Sequence, residues 1–327
     1  MHIQPLWRSI QRKNFTDWKH LTAFLHLPVD SNSPLLADTP FPLNLPQRIA
    51  NKIEKGNWED PLLLQFLPTH KELIRDPAFS EDPVGDSHAR KTPKLLKKYQ
   101  GRALLVCTSA CAMNCRFCFR RHFDYEREDK GFEAELEAIA QDSSIAEILL
   151  SGGDPLSLGD ETLHSLIQRL SAIKHVKRLR FNTRFPLGIP ERIDASFLSV
   201  LRSTRLQVFF VIHCNHPREL DADILAALKS IQQLGCPVLC QSVLLKGVND
   251  NLETLRSLYE KLVDFGILPY QLHQLDRVQG AQHFEVPCET GISLVQALRF
   301  LLPGYALPSF VRECAHAPSK TPLLETS

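Results

Sequence analysis

Three cysteines stand in the stretch CAMNCRFCFRRHF, at Cys111, Cys115 and Cys118, followed by Arg120, Arg121 and His122. Two metal chemistries fit a C-x3-C-x2-C triplet. With His122 as a fourth ligand, three thiolates and an imidazole suit tetrahedral zinc. With no fourth protein ligand, three thiolates suit a [4Fe-4S] cluster that keeps one iron open to an external chelating molecule. A second segment, SGGDPL from Ser151 to Leu156, bears on that choice. Its adjacent Gly152 and Gly153 let backbone groups approach a ligand closely, and Asp154 supplies an acceptor.

The elements that must position these residues are visible as a pattern. From about residue 100, short apolar runs alternate with amphipathic segments, which predicts repeated β–α units around a buried parallel sheet. Strands are expected at 103–107, 147–152, 178–183, 207–213, 237–245 and 269–275. Helices are expected at about 132–142, 160–173, 190–202, 219–234 and 250–265, the last two stopping at Gly235 and Gly266, which suit the left-handed residue after a helix. Six repeats predict an α/β fold, a partial (β/α)6 barrel, with an open doubly wound sheet as the competing architecture. In a barrel the working residues sit on loops after the strands. The triplet follows the first strand and SGGDPL closes the second.

Residues 1–98 predict a helical layer packed on the barrel, with pieces at about 16–26, 46–56 and 59–75 separated by a proline-rich stretch. Trp18, Leu21, Phe24 and Leu25 form an apolar helical face that needs covering. The barrel proper is expected over 99–276. A closing segment, 277–327, carries one helix near 289–302.

Composition narrows the function class. The chain has 327 residues, 43% hydrophobic and 23% charged, as expected of a soluble globular protein. Its 38 Lys and Arg against 37 Asp and Glu give no electrostatic case for a nucleic-acid or membrane-surface partner. The segment MHIQPLWRSIQRKNF lacks the features of a secretory signal, and no run of about 18 apolar residues occurs, so a cytoplasmic protein is expected. In a reducing compartment its nine cysteines are poor candidates for disulfides. Cys107, Cys214, Cys236, Cys240, Cys288 and Cys314 lack ligand spacing and read as small apolar core residues.

The triplet together with GGDP after strand two resembles the radical S-adenosylmethionine superfamily. That resemblance implies a [4Fe-4S] cluster on Cys111, Cys115 and Cys118, its open iron filled by the amino and carboxylate groups of S-adenosyl-L-methionine, whose methionine part meets Ser151, Gly152, Gly153 and Asp154. From about residue 95 to the end, CAMNCRFCFRRHF, LLSGGDPL, HCNHP at 213–217, QSVLLKGVNDN at 241–251 and PSKTPL at 318–323 resemble, in order, motifs of the lysine 2,3-aminomutase family. The chain ends seven residues beyond Lys320, as in the short members that make (R)-β-lysine for modification of elongation factor P.

Moving an amino group between adjacent carbons requires hydrogen abstraction from an unactivated carbon and a π system for the migrating nitrogen, which pyridoxal 5'-phosphate supplies. The resemblance implies that Lys320 carries that cofactor as a Schiff base, that Arg102 pairs with its phosphate, and that Gln241 contributes to cofactor binding. It implies that Arg120 clamps the carboxylate of the substrate L-lysine and that Asp276 and Glu313 receive its remote ammonium. It also implies an external electron donor and a separate ligase that consumes the product. Phe117 and Glu313 depart from the histidine and aspartate of longer members, and PSK replaces their glycine-rich run. An aminomutase acting on glutamate or another amino acid, and a zinc-bearing structural protein, are the alternatives.

Overall fold

The computed structural model describes residues 5–125 and 131–323, so part of the segment read for a secretory signal and the end of the tail after Lys320 lie outside the described residues. The N-terminal layer consists of short helices, α1 (Leu6–Gln11), α2 (Trp18–Phe24), α3 (Gln47–Ala50) and α4 (Pro61–Leu64). The helices expected at 46–56 and 59–75 are cut short. Gly56 takes φ +74° between them, and Asp60 caps α4 by accepting from the amides of Leu62 and Leu63, with Pro61 in the first turn, where no donor is needed. The face on α2 is covered as its pattern requires, Leu21 and Leu25 being fully buried.

Residues 90–96 are not helical. Arg90–Thr92 (β1) and Leu95–Leu96 (β2) form an antiparallel ribbon, and β2 pairs antiparallel with β3 (Arg102–Thr108). Strands this short, separated by Pro93, carry too little alternation to be read from sequence.

Beyond β3 the elements alternate: α5 (Glu133–Gln141), β4 (Glu147–Gly152), α6 (Asp160–Ala172), β5 (Arg178–Thr183), α7 (Phe185–Gly188), α8 (Ala195–Arg202), β6 (Gln207–His213), α9 (Ala222–Gln232), β7 (Val238–Val243), α10 (Leu252–Asp264), β8 (Leu268–His273), α11 (Cys288–Arg299), β9 (Ser309–Arg312) and β10 (Thr321–Pro322). Strands β3 to β9 are parallel and lie side by side in chain order, and β10 turns back antiparallel on β9. A doubly wound sheet would reverse its order at a switch point. This sheet does not, and β1 and β10 remain its two edges, so the architecture is an open, partial barrel. It has one more parallel strand than the six expected, because the four residues of β9 were hidden in the closing segment.

The two-residue period of the strands separates core from site. Leu105, Ile148, Leu150, Leu179, Phe181 and Phe210 face outward under the helices. Phe181 stacks on Phe210 with ring centroids 4.8 Å apart. The residues between them, among them Leu104, Leu149, Arg180, Asn182, Val211 and His213, face an inner cavity. The apolar core runs without a break from Trp7 to Phe310 and so crosses both expected boundaries, 98 and 276. Among the described residues no helix is long and apolar enough to cross a membrane. Cys107, Cys214, Cys236 and Cys240 are buried as expected. Cys288 is half-buried and Cys314 is exposed, because it lies where the chain leaves the sheet after β9.

The end of β4 lies directly against the cysteine loop. Gly153 N donates to Thr108 O at 2.6 Å and Asp154 N to Ala110 O at 2.8 Å. A Cβ on Gly153 would sit 2.3 Å from Ala110 O, and Gly152, at φ +113°, would place one 2.7 Å from Thr108 O. The glycines therefore serve the approach of one backbone to another, not only the approach of a ligand. Gly153→Ala should lower the stability of the cofactor-free protein by about 1–3 kcal/mol, while Gly304→Ala, where a Cβ meets nothing within 4 Å, should change it by less than about 0.5 kcal/mol. Thermal denaturation of the two variants side by side checks this.

Candidate active site

The concave face of the sheet encloses a cavity of about 400 Å³, within the usual range for small-molecule sites. Cys111, Cys115, Cys118, Arg120, Ser151, Gly152, Gly153, Asp154, Gln241, Asp276, Glu313, Arg102 and Lys320 all line it. Residues up to 279 positions apart in the chain thus share one space, with Phe41 at one extreme and Lys320 at the other.

The cysteine loop is braced from behind by the N-terminal layer. Asn14 Nδ2 donates to Ala112 O at 2.7 Å and Asn44 Nδ2 to Cys111 O at 3.1 Å. Arg116, fully buried, forms a two-pronged pair with Glu72 at 2.8 and 2.6 Å, and Arg121 reaches the same carboxylate at 2.6 Å. Arg121 is thereby a support of the loop. His122 is exposed and its Nε2 lies 3.1 Å from Gln279 O. Among the described residues no three His, Cys, Asp or Glu side chains converge closely enough to hold a single metal ion. The four-ligand zinc arrangement is therefore not formed, whereas a cluster of several irons spreads its thiolates farther apart than one ion does. Burial raises all three thiols, Cys118 to about 11. At Cys115 the charge of Arg184 opposes that rise, its Nη1 lying 2.8 Å from the sulfur.

Asp154 does not offer a free acceptor to a ligand. Its Oδ1 accepts from Leu156 N and Thr183 Oγ1 at 3.0 and 2.8 Å, and its Oδ2 from Arg184 N and Phe185 N at 2.8 and 3.0 Å. The carboxylate is spent on the ends of β4 and β5 and the start of α7. Ser151 Oγ is engaged by Arg120 Nη1 at 3.2 Å. Open acceptors lie elsewhere in the cavity, at the buried Asn182 Oδ1 and His213 Nε2, neither of which has a partner among the described residues. Burial, then the Arg184 charge, hold His213 well below the ordinary imidazole range, so it is neutral. Its ring stacks on Phe117 at 5.6 Å.

A chain of alternating charge crosses the cavity. Arg120 Nε donates to Asp86 Oδ2 at 2.8 Å, Lys98 Nζ lies 2.6 Å from Asp86 Oδ1, and the same ammonium lies 3.1 Å from Glu313 Oε1. Glu313 is thus already paired. Asp276 is not: its Oδ1 is buried without a partner among the described residues. Burial and the neighbouring Glu313 raise the Asp276 carboxyl to about 7, against the pull of Lys320 and Lys98.

Lys320 is held over the cavity and is not a solvated tail residue. The pairing of β10 with β9 fixes the residues that follow it, and its Nζ donates to Gln271 Oε1 at 2.9 Å and lies 3.0 Å from His273 Nε2. Burial lowers its ammonium to about 8, with Glu313 and Asp276 opposing and Arg180 and Arg102 assisting. Arg180 is paired with Glu147, at 2.8 Å from Nε. Arg102 has no acidic partner among the described residues and lies 4.6 Å from the Tyr99 ring centroid.

The residues present therefore fit each implied group: three thiols for a cluster, open acceptors beside Phe117 for S-adenosylmethionine, and an amine with an uncommitted guanidinium for a phosphorylated aldehyde. Sequence reasoning missed Asp86, Lys98, Arg184, His213 and His273. His213 and His273 end β6 and β8, and the rule that barrel chemistry sits at carboxyl ends of strands was signal enough for both. Asp86 and Lys98 had no such signal, coming from the irregular approach to β3.

A family model described as a 4Fe-4S single cluster domain matches residues 100–185. An L-lysine 2,3-aminomutase of Haemophilus influenzae is 42% identical over 96% of this chain and 94% of its own length. One of Escherichia coli is 41% identical over 91% and 89%, and one of Clostridium subterminale 34% identical over 88% and 68%. A structure titled as a radical SAM methyltransferase from Sphaerobacter thermophilus superposes with a TM-score of 0.49 at 19% identity, covering 67% of this chain and 68% of that one, too partial a likeness to carry an argument.

The environment of Lys320 sets its reactivity in the cofactor-free protein. Its acylation by a small amine-reactive ester, followed by peptide mass spectrometry across pH, should show a midpoint near 8, about two units below an unperturbed lysine at ~10.4. A midpoint near 10 would mean that the amine is not buried as described.

Proposed function

The chain belongs to the L-lysine 2,3-aminomutase family, and from that premise we propose that it is the isomerase that converts L-α-lysine to (R)-β-lysine, moving the amino group from C2 to C3. The observation that carries the reading is a single cavity that holds three thiols, the amine of Lys320, the guanidinium of Arg120 and the unpartnered carboxylate oxygen of Asp276. When bound, the cluster with S-adenosylmethionine supplies a carbon radical able to take a hydrogen from an unactivated carbon, and pyridoxal phosphate supplies the π system for the migrating nitrogen.

The protein's own residues bind and orient. Arg120, buried and fixed by Asp86, offers its guanidinium fork to the substrate carboxylate. Asp276 takes the remote ammonium, which supplies the partner its buried oxygen lacks. Lys320, its ammonium lowered to about 8, would reach at small cost the neutral amine form needed to hold pyridoxal phosphate as a Schiff base. Arg102 is free to pair with the phosphate. A glutamate substrate would set a second carboxylate against Asp276, and two buried like charges are costly, so the site favours lysine.

The product, on this reading, passes to a separate ligase that attaches it to elongation factor P, and an external one-electron donor serves the cluster. The higher identity to the Haemophilus influenzae and Escherichia coli relatives than to the Clostridium subterminale one is in keeping with the short-form resemblance. A reducing, cytoplasmic location suits thiolate ligation.

Three outcomes test the proposal. Protein reconstituted without oxygen, with S-adenosylmethionine, pyridoxal phosphate and a reductant, should form β-lysine from lysine and no β-amino acid from glutamate, read by chromatography of the products; the reverse selectivity would overturn the substrate assignment. Asp276→Asn should lower kcat/KM for lysine by roughly 10²–10⁴-fold, as expected when one partner of a buried pair is removed at about 3–5 kcal/mol. Because the ionised form of Asp276 accepts the ammonium and the carboxyl titrates near 7, kcat/KM of the unmodified enzyme should fall about tenfold per unit as pH drops below that value. A flat profile between pH 8 and 6 would contradict this role.

A further inference from the structure

Arg184 follows the last residue of β5 and is buried, yet no role described so far needs a cation there. Four contacts fix it. Its backbone amide donates to Asp154 Oδ2 at 2.8 Å, its Nη2 donates to Glu219 Oε2 at 2.7 Å and to Gln65 Oε1 at 2.6 Å, and its Nη1 lies 2.8 Å from Cys115 Sγ. The guanidinium carbon lies 4.9 Å from the ring centroid of Phe66 and 5.7 Å from that of Phe117, which shut out water. Glu219 is itself anchored, accepting from the amides of Asn215 and His216 at 2.9 and 3.0 Å. Among the described residues no other cationic side chain donates to the sulfur of Cys115, Cys111 or Cys118.

We propose that Arg184 sets the reduction potential of the cluster by donating a fixed, charged hydrogen bond to the Cys115 sulfur, which rests on the reading that Cys111, Cys115 and Cys118 hold a [4Fe-4S] cluster. The couple is the transfer of one electron from an external one-electron donor to [4Fe-4S]2+, giving [4Fe-4S]+, with no proton taken up. Added negative charge spreads onto the thiolate sulfurs, and a donor bearing positive charge stabilises it more than it stabilises the oxidised state. Burial prevents water from screening that effect. The fork geometry matters: one nitrogen serves the sulfur while another is held by Glu219 and Gln65, an arrangement that a lysine cannot reproduce. Glu219 then moderates the effect, since its negative charge faces the same guanidinium.

The test is a spectroelectrochemical titration, without S-adenosylmethionine, of reconstituted wild-type, Arg184→Met and Glu219→Gln protein, with the reduced cluster followed by electron paramagnetic resonance. Arg184→Met should shift the midpoint to more negative potential by at least a tenfold change in the reduction equilibrium, 59 mV for a one-electron couple. Glu219→Gln, which keeps the bond to sulfur and removes a negative charge, should shift it to more positive potential. An unmoved midpoint in Arg184→Met, or shifts of the same sign in both variants, would overturn the proposal. If Arg184→Met takes up no cluster, Glu219→Gln decides alone, and an unmoved or more negative midpoint there overturns it. Absence of any cluster in the wild-type protein would instead refute the reading of the three cysteines.

Discussion

One buried carboxylate holds the mouth of this barrel together. Asp154 accepts from the backbone of the turn that follows β4, from the last side chain of β5 and from the first residues beyond β5. Its own amide and that of Gly153 are tied to the loop after β3. Three neighbouring strand ends are thereby locked in register, and the cysteine loop cannot move away from the turn without breaking several buried hydrogen bonds at once. The glycines are the steric condition of that contact, because any side chain at 153 would collide with Ala110. The motif thus acts first on the protein itself, and a cofactor seated there inherits a rigid platform.

The second constraint is charge. The cavity is lined by Arg120, Asp86, Lys98, Glu313, Asp276, Lys320 and Arg102, and buried charges persist only when paired. The pairing is nearly complete: Arg120 with Asp86, Asp86 with Lys98, Lys98 with Glu313. What stays uncommitted is informative. Among the described residues one oxygen of Asp276 lacks a donor and Arg102 lacks an acid, which are the complements of an ammonium and a phosphate. Glu313 is spent on Lys98, which leaves Asp276 as the open acid.

The barrel was legible because its strands are long enough to alternate and its helices end at glycine: three of the six expected strands, at 147–152, 178–183 and 207–213, are observed with the same limits, and Gly235 and Gly266 adopt positive φ. The elements of two to four residues, β1, β2, β9 and β10, were not legible, since their existence depends on pairing with partners elsewhere in the chain. Lys320 illustrates the consequence. Its place in the cavity depends on β10, which no local signal announces, so only its motif context marked it. The cysteine triplet could be read directly, because three cysteines within eight residues form a local feature. The ion-pair chain from Arg120 to Glu313 could not, because it joins residues from both ends of the fold.

The central claim is that this cavity moves hydrogen from the β-carbon of lysine to a carbon radical derived from S-adenosylmethionine and back again. Incubation of the reconstituted enzyme with lysine carrying deuterium at C3, followed by mass spectrometry of the recovered S-adenosylmethionine, tests it most directly. Deuterium accumulating in the adenosyl part of that molecule, alongside β-lysine, is the expected result. Formation of β-lysine with no deuterium in S-adenosylmethionine would contradict the account.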